Sequence, residues 1–355
     1  MKLAWNTYRA RLCHDEYVFA KQCGCKGIIT GLVDFNMSWI GGKVGGVPVV
    51  RQDDPIWEYD SLAAIAKEIR AEGLEWYGIE NFNPADWYDV LLDGSEKHKQ
   101  MDRLKKLIAD VGKIGIPYFG YNFSLTGVYG RVLKSVCRGG ATSMCFDGSN
   151  PDCQIPIPNG EIWNTVYDEN APKGNVPIIS NQELWERCKW FLEQILPVAE
   201  EAGVMMCAHP DDPPVERMRG NARLIHKLDM FQRLVDLVPS DYSGVELCMG
   251  TMQEMDDPAH NIYEIAKSLA EQKKIAYVHL RNVKGKVPYY EERFIDEGDL
   301  DIVKALTVLR DAGYDGPVVP DHVPNMTASK DDWGSSNAFA LGYIKAVMKM
   351  IGAES

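Results

Sequence analysis

Short apolar runs ending in a polar or glycine-bearing turn alternate along this chain with longer stretches whose apolar residues recur at helical spacing, which marks repeated strand–helix units. Eight runs can be read: Leu3 to Tyr8, Gly27 to Leu32, Glu75 to Glu80, Tyr118 to Phe123, Val204 to His209, Val245 to Met249, Ile275 to Arg281 and Pro317 to Asp321. The helical pattern covers Tyr59 to Ala71, Met101 to Val111, Gln182 to Glu201, Ala222 to Leu237, Ile262 to Glu271, Leu300 to Asp311 and Asn337 to Met350. Asn181 and Asp299 stand where N-caps belong, and Gly73, Gly203 and Gly313 where helices stop. Eight parallel strands joined by right-handed crossovers close on themselves, so the predicted fold is α/β, a (β/α)8 TIM barrel.

Two stretches break the repeat: 33–57, with GGKVGG at Gly41 to Gly46, and 124–180, rich in Gly, Asn, Pro and Asp. Both follow strands, so in a single domain spanning 1–355 they fall on the C-terminal face, where barrel loops build active sites. They are candidate lids or pocket walls. The glycine cluster does not open a helix after a strand as a phosphate cradle would, and it is read as a turn.

At 355 residues, 45% hydrophobic and 25% charged, the chain can bury one large core. A formal net charge of -13 opposes attraction to nucleic acid or anionic lipid, so the expected partner is a small molecule. An anionic ligand would then need a locally positive site, from a metal ion or arginines. No apolar run is long enough for a secretory leader or a membrane span, and nine cysteines, an odd number, fit a reducing compartment. A cytoplasmic protein is expected. Cys23 and Cys25, and Cys137, Cys145 and Cys153 at intervals of eight, lack the short paired spacing of a zinc module and are read as structural.

The candidate chemistry lies at the ends of the last four strands: His209 in VMMCAHPDDPP, Cys248 in GVELCMG, His279 in IAYVHLRN and Asp321 in VVPDHVP. Each alone has a plain structural explanation, since a buried cysteine is usually a small core hydrophobe. Together they sit one strand–helix unit apart, and consecutive strand ends converge on one mouth, which predicts a metal site. Two imidazoles, a thiolate and a carboxylate form a mixed donor set that zinc accepts readily. His322, next to Asp321, is placed for acid/base work or for orienting a ligand. Arg281 follows His279 by two residues, so it points to the same side and is a candidate carboxylate clamp. Asp211 and Asp212 either contact substrate hydroxyls or satisfy the turn.

HPDDPP with the preceding FLEQILPVAEEAG, then LCMGT, VHLRNVK and PDHVPNM, resembles the mannonate dehydratase family of xylose isomerase-like barrels, most strongly from Gln182 to Met326. Weaker likeness reaches Trp5, Ile79-Glu80 and Tyr121-Asn122-Phe123. The resemblance implies that His209, Cys248, His279 and Asp321 bind a divalent ion, Mn2+ first, with Zn2+ second and Fe2+ also acceptable. It implies a hydro-lyase of hexuronate degradation that removes water from D-mannonate to give 2-keto-3-deoxy-D-gluconate. A homo-oligomer is expected, as for many barrels, with no interface marked in the sequence. Glu80, Asn122 and Arg131 are then expected against substrate, with Asp212 and Trp333 at the same mouth.

Two places depart from the family. Around the fourth-loop arginine it carries an aspartate, an aromatic residue and a threonine or lysine, where this chain has Val128, Tyr129 and Gly130. It has a tyrosine in a Pro-Gly-Tyr turn where this chain has Asp332-Trp333-Gly334, and an indole cannot exchange a proton as a phenol does. D-mannonate is therefore expected to be a poor substrate. The competing readings are a xylose isomerase-like isomerase, epimerase or lyase on another carbohydrate, and a non-catalytic barrel that binds sugar acids.

Overall fold

The computed structural model describes residues 1–34, 47–329 and 334–354. Its core is a closed parallel barrel of eight strands: β1 (Lys2–Tyr8), β2 (Gly27–Gly31), β3 (Glu75–Glu80), β4 (Tyr118–Tyr121), β5 (Met205–Ala208), β6 (Ser243–Cys248), β7 (Ile275–His279) and β8 (Pro317–Val319). Each pairs with the next in the chain, and β8 closes on β1 with Pro317 beside Lys2 and Val318 beside Leu3. The eight predicted runs are these eight strands. Strands buried on both faces read as unbroken apolar runs because alternate side chains go to two different cores. Leu3, Trp5, Ile28, Met206, Val278 and Val318 pack under the helices, while Ala4, Ile29, Cys207, Tyr277 and Val319 fill the barrel.

Several strands end a residue or two earlier than the pattern suggested. Cys248 and His279 are last strand residues, while His209, Arg281 and Asp321 stand just beyond their strands. The helix expected over Ala222 to Leu237 is formed only over Asp229–Leu237. Residues ahead of it wrap instead around Asp211, whose carboxylate accepts the Leu224 and Ile225 N–H groups at 2.8 and 2.9 Å. A ten-residue helix, His14–Cys23, was not anticipated, because only Glu16, Tyr17 and Ala20 of it are buried and its periodicity is faint.

Cap assignments shift by one or two positions. Ser180, not Asn181, caps Asn181–Ala202 through a reciprocal box with Glu183. Asp301, not Asp299, caps Ile302–Asp311, and Asp299 binds the Gly285 N–H at 2.8 Å. Gly73, Gly203 and Gly313 do take the left-handed conformation that ends their helices.

The 124–180 insertion folds back as two strands, Arg131–Ser135 and Thr142–Asp147, of an antiparallel sheet. A hairpin from the loop after β7, Asn282–Lys286 and Tyr289–Arg293, completes that sheet. Cys137, Cys145 and Cys153 are buried in and around it as free thiols, and Cys23 and Cys25 are also unpaired. GGKVGG lies outside the described residues. Among the described residues no helix is long and apolar enough to cross a membrane.

Candidate metal centre and active site

Convergence of the strand ends brings the four expected ligands together. One donor atom from each of His209, Cys248 and His279 lies within 4.8 Å of the others. Asp321 joins them, with Oδ2 3.8 Å from Cys248 Sγ and Oδ1 3.7 Å from His279 Nδ1. The rings are fixed from behind. His209 Nδ1 meets the Pro210 carbonyl at 2.5 Å, an atom that can only accept, so Nε2 is the nitrogen that faces the cluster, 3.8 Å from Glu246 Oε1. His279 turns Nε2 toward Glu80 Oε1 at 2.8 Å and Glu246 Oε1 at 3.0 Å. Its Nδ1 is buried without a hydrogen-bond partner, facing Cys248 and Asp321.

The electrostatics favour a cation. Glu80, Asp212, Glu246, Glu254, Glu292 and Asp321 crowd the site with Cys248, against Arg131 and Arg281 as permanent positive charges. Burial pushes Glu80 and Glu254 up from the usual carboxylate range, the neighbouring Glu246 carboxylate adding to the effect at Glu80. Burial also resists ionisation of Asp321, yet His322, His279 and Arg281 hold it well below the usual carboxylate range. At Cys248 burial is again outweighed: Arg281, His209 and His279 bring the thiol down to about 5, and Thr251 donates to Sγ from Oγ1 at 3.1 Å. An orphaned buried imidazole nitrogen, a thiolate and a surplus of carboxylates are the donors a divalent ion requires.

The Cys248 value gives an expected result on metal-free protein. Because it lies below the ordinary thiol value of 9.0, the thiolate persists at neutral pH and is lost only as pH falls through about 5. The check is thiolate ultraviolet absorbance, recorded as wild type minus Cys248→Ser across pH. A difference that disappears already near the ordinary thiol value would contradict the ionised ligand.

The other expected site residues are drawn into an internal network. Arg281 is fully buried: Nε donates to Asp321 Oδ2 at 2.8 Å, Nη2 to Asp212 Oδ2 at 2.8 Å and Thr251 Oγ1 at 3.0 Å, and Nη1 to Glu254 Oε1 at 2.5 Å. With its donors so committed, the guanidinium fixes acidic side chains of the site instead of presenting a free fork to a substrate carboxylate. Gly250 permits this approach, since a Cβ there would stand 2.4 Å from Arg281 Cγ. Asp212 also accepts from Tyr290 Oη at 2.9 Å and faces Arg131 at 3.6 Å, whereas Asp211 is spent on its turn and on Arg223. Arg131 is paired with Glu292 and lies 3.0 Å from His322 Nδ1.

Glu80 was expected against substrate, but its carboxylate is taken by His279 and by Asn6 Nδ2 at 3.1 Å. Asn122 likewise spends its amide inside the protein, donating to the His209 and Pro210 carbonyls at 3.4 and 3.3 Å and accepting from Trp163 Nε1 at 3.3 Å. It therefore braces the turn that carries His209. Trp333 lies outside the described residues. The altered fourth loop is packed on both sides: the Tyr129 ring lies under the Arg219 guanidinium at 4.7 Å, and Gly130 has a positive φ where a Cβ would meet Cys153 Sγ at 2.4 Å.

Sequence reasoning missed Glu246, Glu254, Tyr290 and Glu292. Glu246 carried a signal, an acidic residue inside an apolar strand and two positions before Cys248, hence on the same face. Tyr290 and Glu292 are the buried members of an alternating strand, YYEER. Nothing local marked Glu254.

A closed parallel barrel with converging metal-ligand side chains and a flanking histidine defines a class of enzyme, the barrel that converts small polar substrates at its C-terminal mouth. Comparison with known proteins narrows this. The model of the D-mannonate dehydratase (UxuA) family matches residues 1–355, and the chain belongs to that family, whose reaction is that of a hydro-lyase. The mannonate dehydratase of Streptococcus uberis is 27% identical over 308 residues, covering 84% of this chain and 82% of the relative. That of Lactococcus lactis subsp. cremoris is 29% identical over 329 residues, covering 82% and 90%. The crystal structure of mannonate dehydratase from Streptococcus suis serotype 2 superposes with a TM-score of 0.78 at 25% identity, over 100% of this chain and 97% of that one. An L-ribulose 3-epimerase, at 14% identity and a TM-score of 0.58, shares the fold.

Proposed function

We propose that this protein is a cytoplasmic, metal-dependent dehydratase that converts D-mannonate or a related aldonate to the 2-keto-3-deoxy acid and water, with Mn2+ as the first choice of ion and Zn2+ the second. The observation that carries the reading is the placement of His322 against the cluster: its Nε2 is 3.5 Å from Asp321 Oδ1, and its Nδ1 is 2.8 Å from Glu292. His209, Cys248, His279 and Asp321 would hold the ion. The chemistry a divalent ion supplies at such ligands is stabilisation of negative charge on substrate oxygens.

Dehydration breaks the C2–H and C3–O bonds; the proton leaves to a base, the hydroxyl departs with a proton as water, and the resulting enol ketonises. His322 is the group that handles one of these protons, at Nε2, because Nδ1 is occupied by Glu292. Arg281 acts as a positioning residue that holds Asp321 and Asp212, and Arg131 sets the positive charge beside His322.

Incubation of Mn2+-loaded protein with D-mannonate and a panel of other hexonates is expected to release an α-keto acid that accumulates with time. With a packed fourth loop and an indole in place of a phenol, another aldonate is expected to turn over faster than D-mannonate. Conversion of substrate into an isomer of equal mass with no α-keto acid would overturn the dehydratase reading in favour of an isomerase or epimerase.

A further inference from the structure

Glu292 belongs to no barrel strand. It sits on Tyr289–Arg293, the hairpin strand that pairs with Thr142–Asp147 of the 124–180 insertion, and its side chain is only 2% exposed. Strand alternation sends Tyr290 and Glu292 inward and leaves Tyr289 and Glu291 toward solvent. Inward means into the site: Glu292 Oε1 is 2.8 Å from His322 Nδ1, is paired with Arg131 Nη1, and lies 3.8 Å from Arg281 Nη1.

Resting on the dehydratase reading, we propose that Glu292 is the positioning residue for His322: its carboxylate accepts a hydrogen bond from Nδ1–H, fixes the ring and its tautomer, and leaves Nε2 as the nitrogen available for proton transfer beside Asp321. The chemistry of the partners supports this. A buried carboxylate resists ionisation, but the paired guanidinium of Arg131 opposes this at Glu292, which therefore meets the ring as an acceptor. Arg131 also lies 3.0 Å from Nδ1, and a guanidinium cannot accept. Its closer, charge-assisted bond goes to Glu292, so imidazole and guanidinium present their N–H groups side by side to one oxygen. The arrangement also explains how the insertion serves the chemistry. The sheet it forms with the hairpin carries the carboxylate that orients a side chain of the barrel rim.

Two readouts separate this role from the reaction itself. In zinc-loaded protein labelled with nitrogen-15 histidine, the His322 signals, identified by their loss in His322→Asn, are expected to report the Nδ1–H tautomer. Glu292→Gln, whose amide can donate to Nδ1, is expected to abolish that preference. An Nε2–H ring in the wild type, or no change in the variant, overturns the proposal. In turnover, Glu292→Gln is expected to lower kcat about 10–100-fold with bound metal retained. The same change introduced into His322→Asn is expected to add little, because both act through one ring. Losses that multiply, or loss of metal, overturn it as well. Should Glu292→Gln fail to fold, Arg131→Gln/Glu292→Gln, which removes both charges together, carries the same tautomer test. If the wild type turns over no hexonate, the dehydratase reading fails, while the tautomer measurement still decides the role of Glu292.

Discussion

Cys248→Ser and His209→Ala are each expected to lose the bound divalent ion and all measurable turnover while the barrel stays folded. The proposed ligands stand at or just beyond the ends of strands that are held by Trp5, Ile28, Met206 and Val278 packed under the helices, so the scaffold does not depend on them. Serine also keeps a hydrogen-bonding atom beside Thr251 where the thiol was. What disappears is the thiolate, the soft anionic donor that Arg281 and the two histidines stabilise. His209→Ala removes the imidazole whose Nε2 faces the cluster, and Asn122 still braces the carbonyl at that position. Metal content by elemental analysis tests both variants. Thermal unfolding gives a second reading: a ligand at a hundredfold excess over its Kd stabilises the native state by about 2.7 kcal/mol, and that increment should be absent from both. Unchanged metal content in the two variants would remove the site from these residues.

The sequence carried the barrel well because each of its strands is buried on both faces and therefore reads as an unbroken apolar run. Glu75–Glu80 is recovered residue for residue. The clustering of the four candidate ligands was legible for the same reason: the end of each run is where polarity returns, and His209, Cys248, His279 and Asp321 mark those ends. What the pattern could not carry is partner choice. Arg281 does point to the side of His279, as its spacing required, yet its four partners, Asp212, Thr251, Glu254 and Asp321, come from the loop after β5, the helix Met249–Glu254 and the end of β8. Glu80 and Asn122 were placed at the right strand ends, but whether they face substrate or a neighbouring ligand depends on the tertiary distances to His279 and Pro210. The outer sheet was hidden for a related reason. Its hairpin is half exposed, and its pairing with Thr142–Asp147 joins segments more than a hundred residues apart.

Replacing His322 separates proton transfer from support of the ligand shell, and the geometry sets the expected outcome. Of the groups clustered here, the His322 side chain is the most open, 25% exposed against 7% for Asp321, 4% for His279 and 2% for Glu292. It is therefore the one placed to meet a substrate entering from the mouth. Its Nε2 stands 3.5 Å from Asp321 Oδ1, beyond a good hydrogen bond, whereas Arg281 already holds the other oxygen of Asp321 at 2.8 Å. Asp321 thus keeps its anchor when His322 is removed. His322→Asn is expected to retain the ion and to lose about 10²–10⁴ in kcat, the range for a missing general acid or base. A role confined to orienting the ligands predicts the reverse, metal affinity lower by about 10–100-fold and activity restored at high Mn2+. Metal affinity and saturated turnover measured on the same preparation decide between them, and recovery of full kcat at saturating Mn2+ would remove His322 from the proton-transfer step.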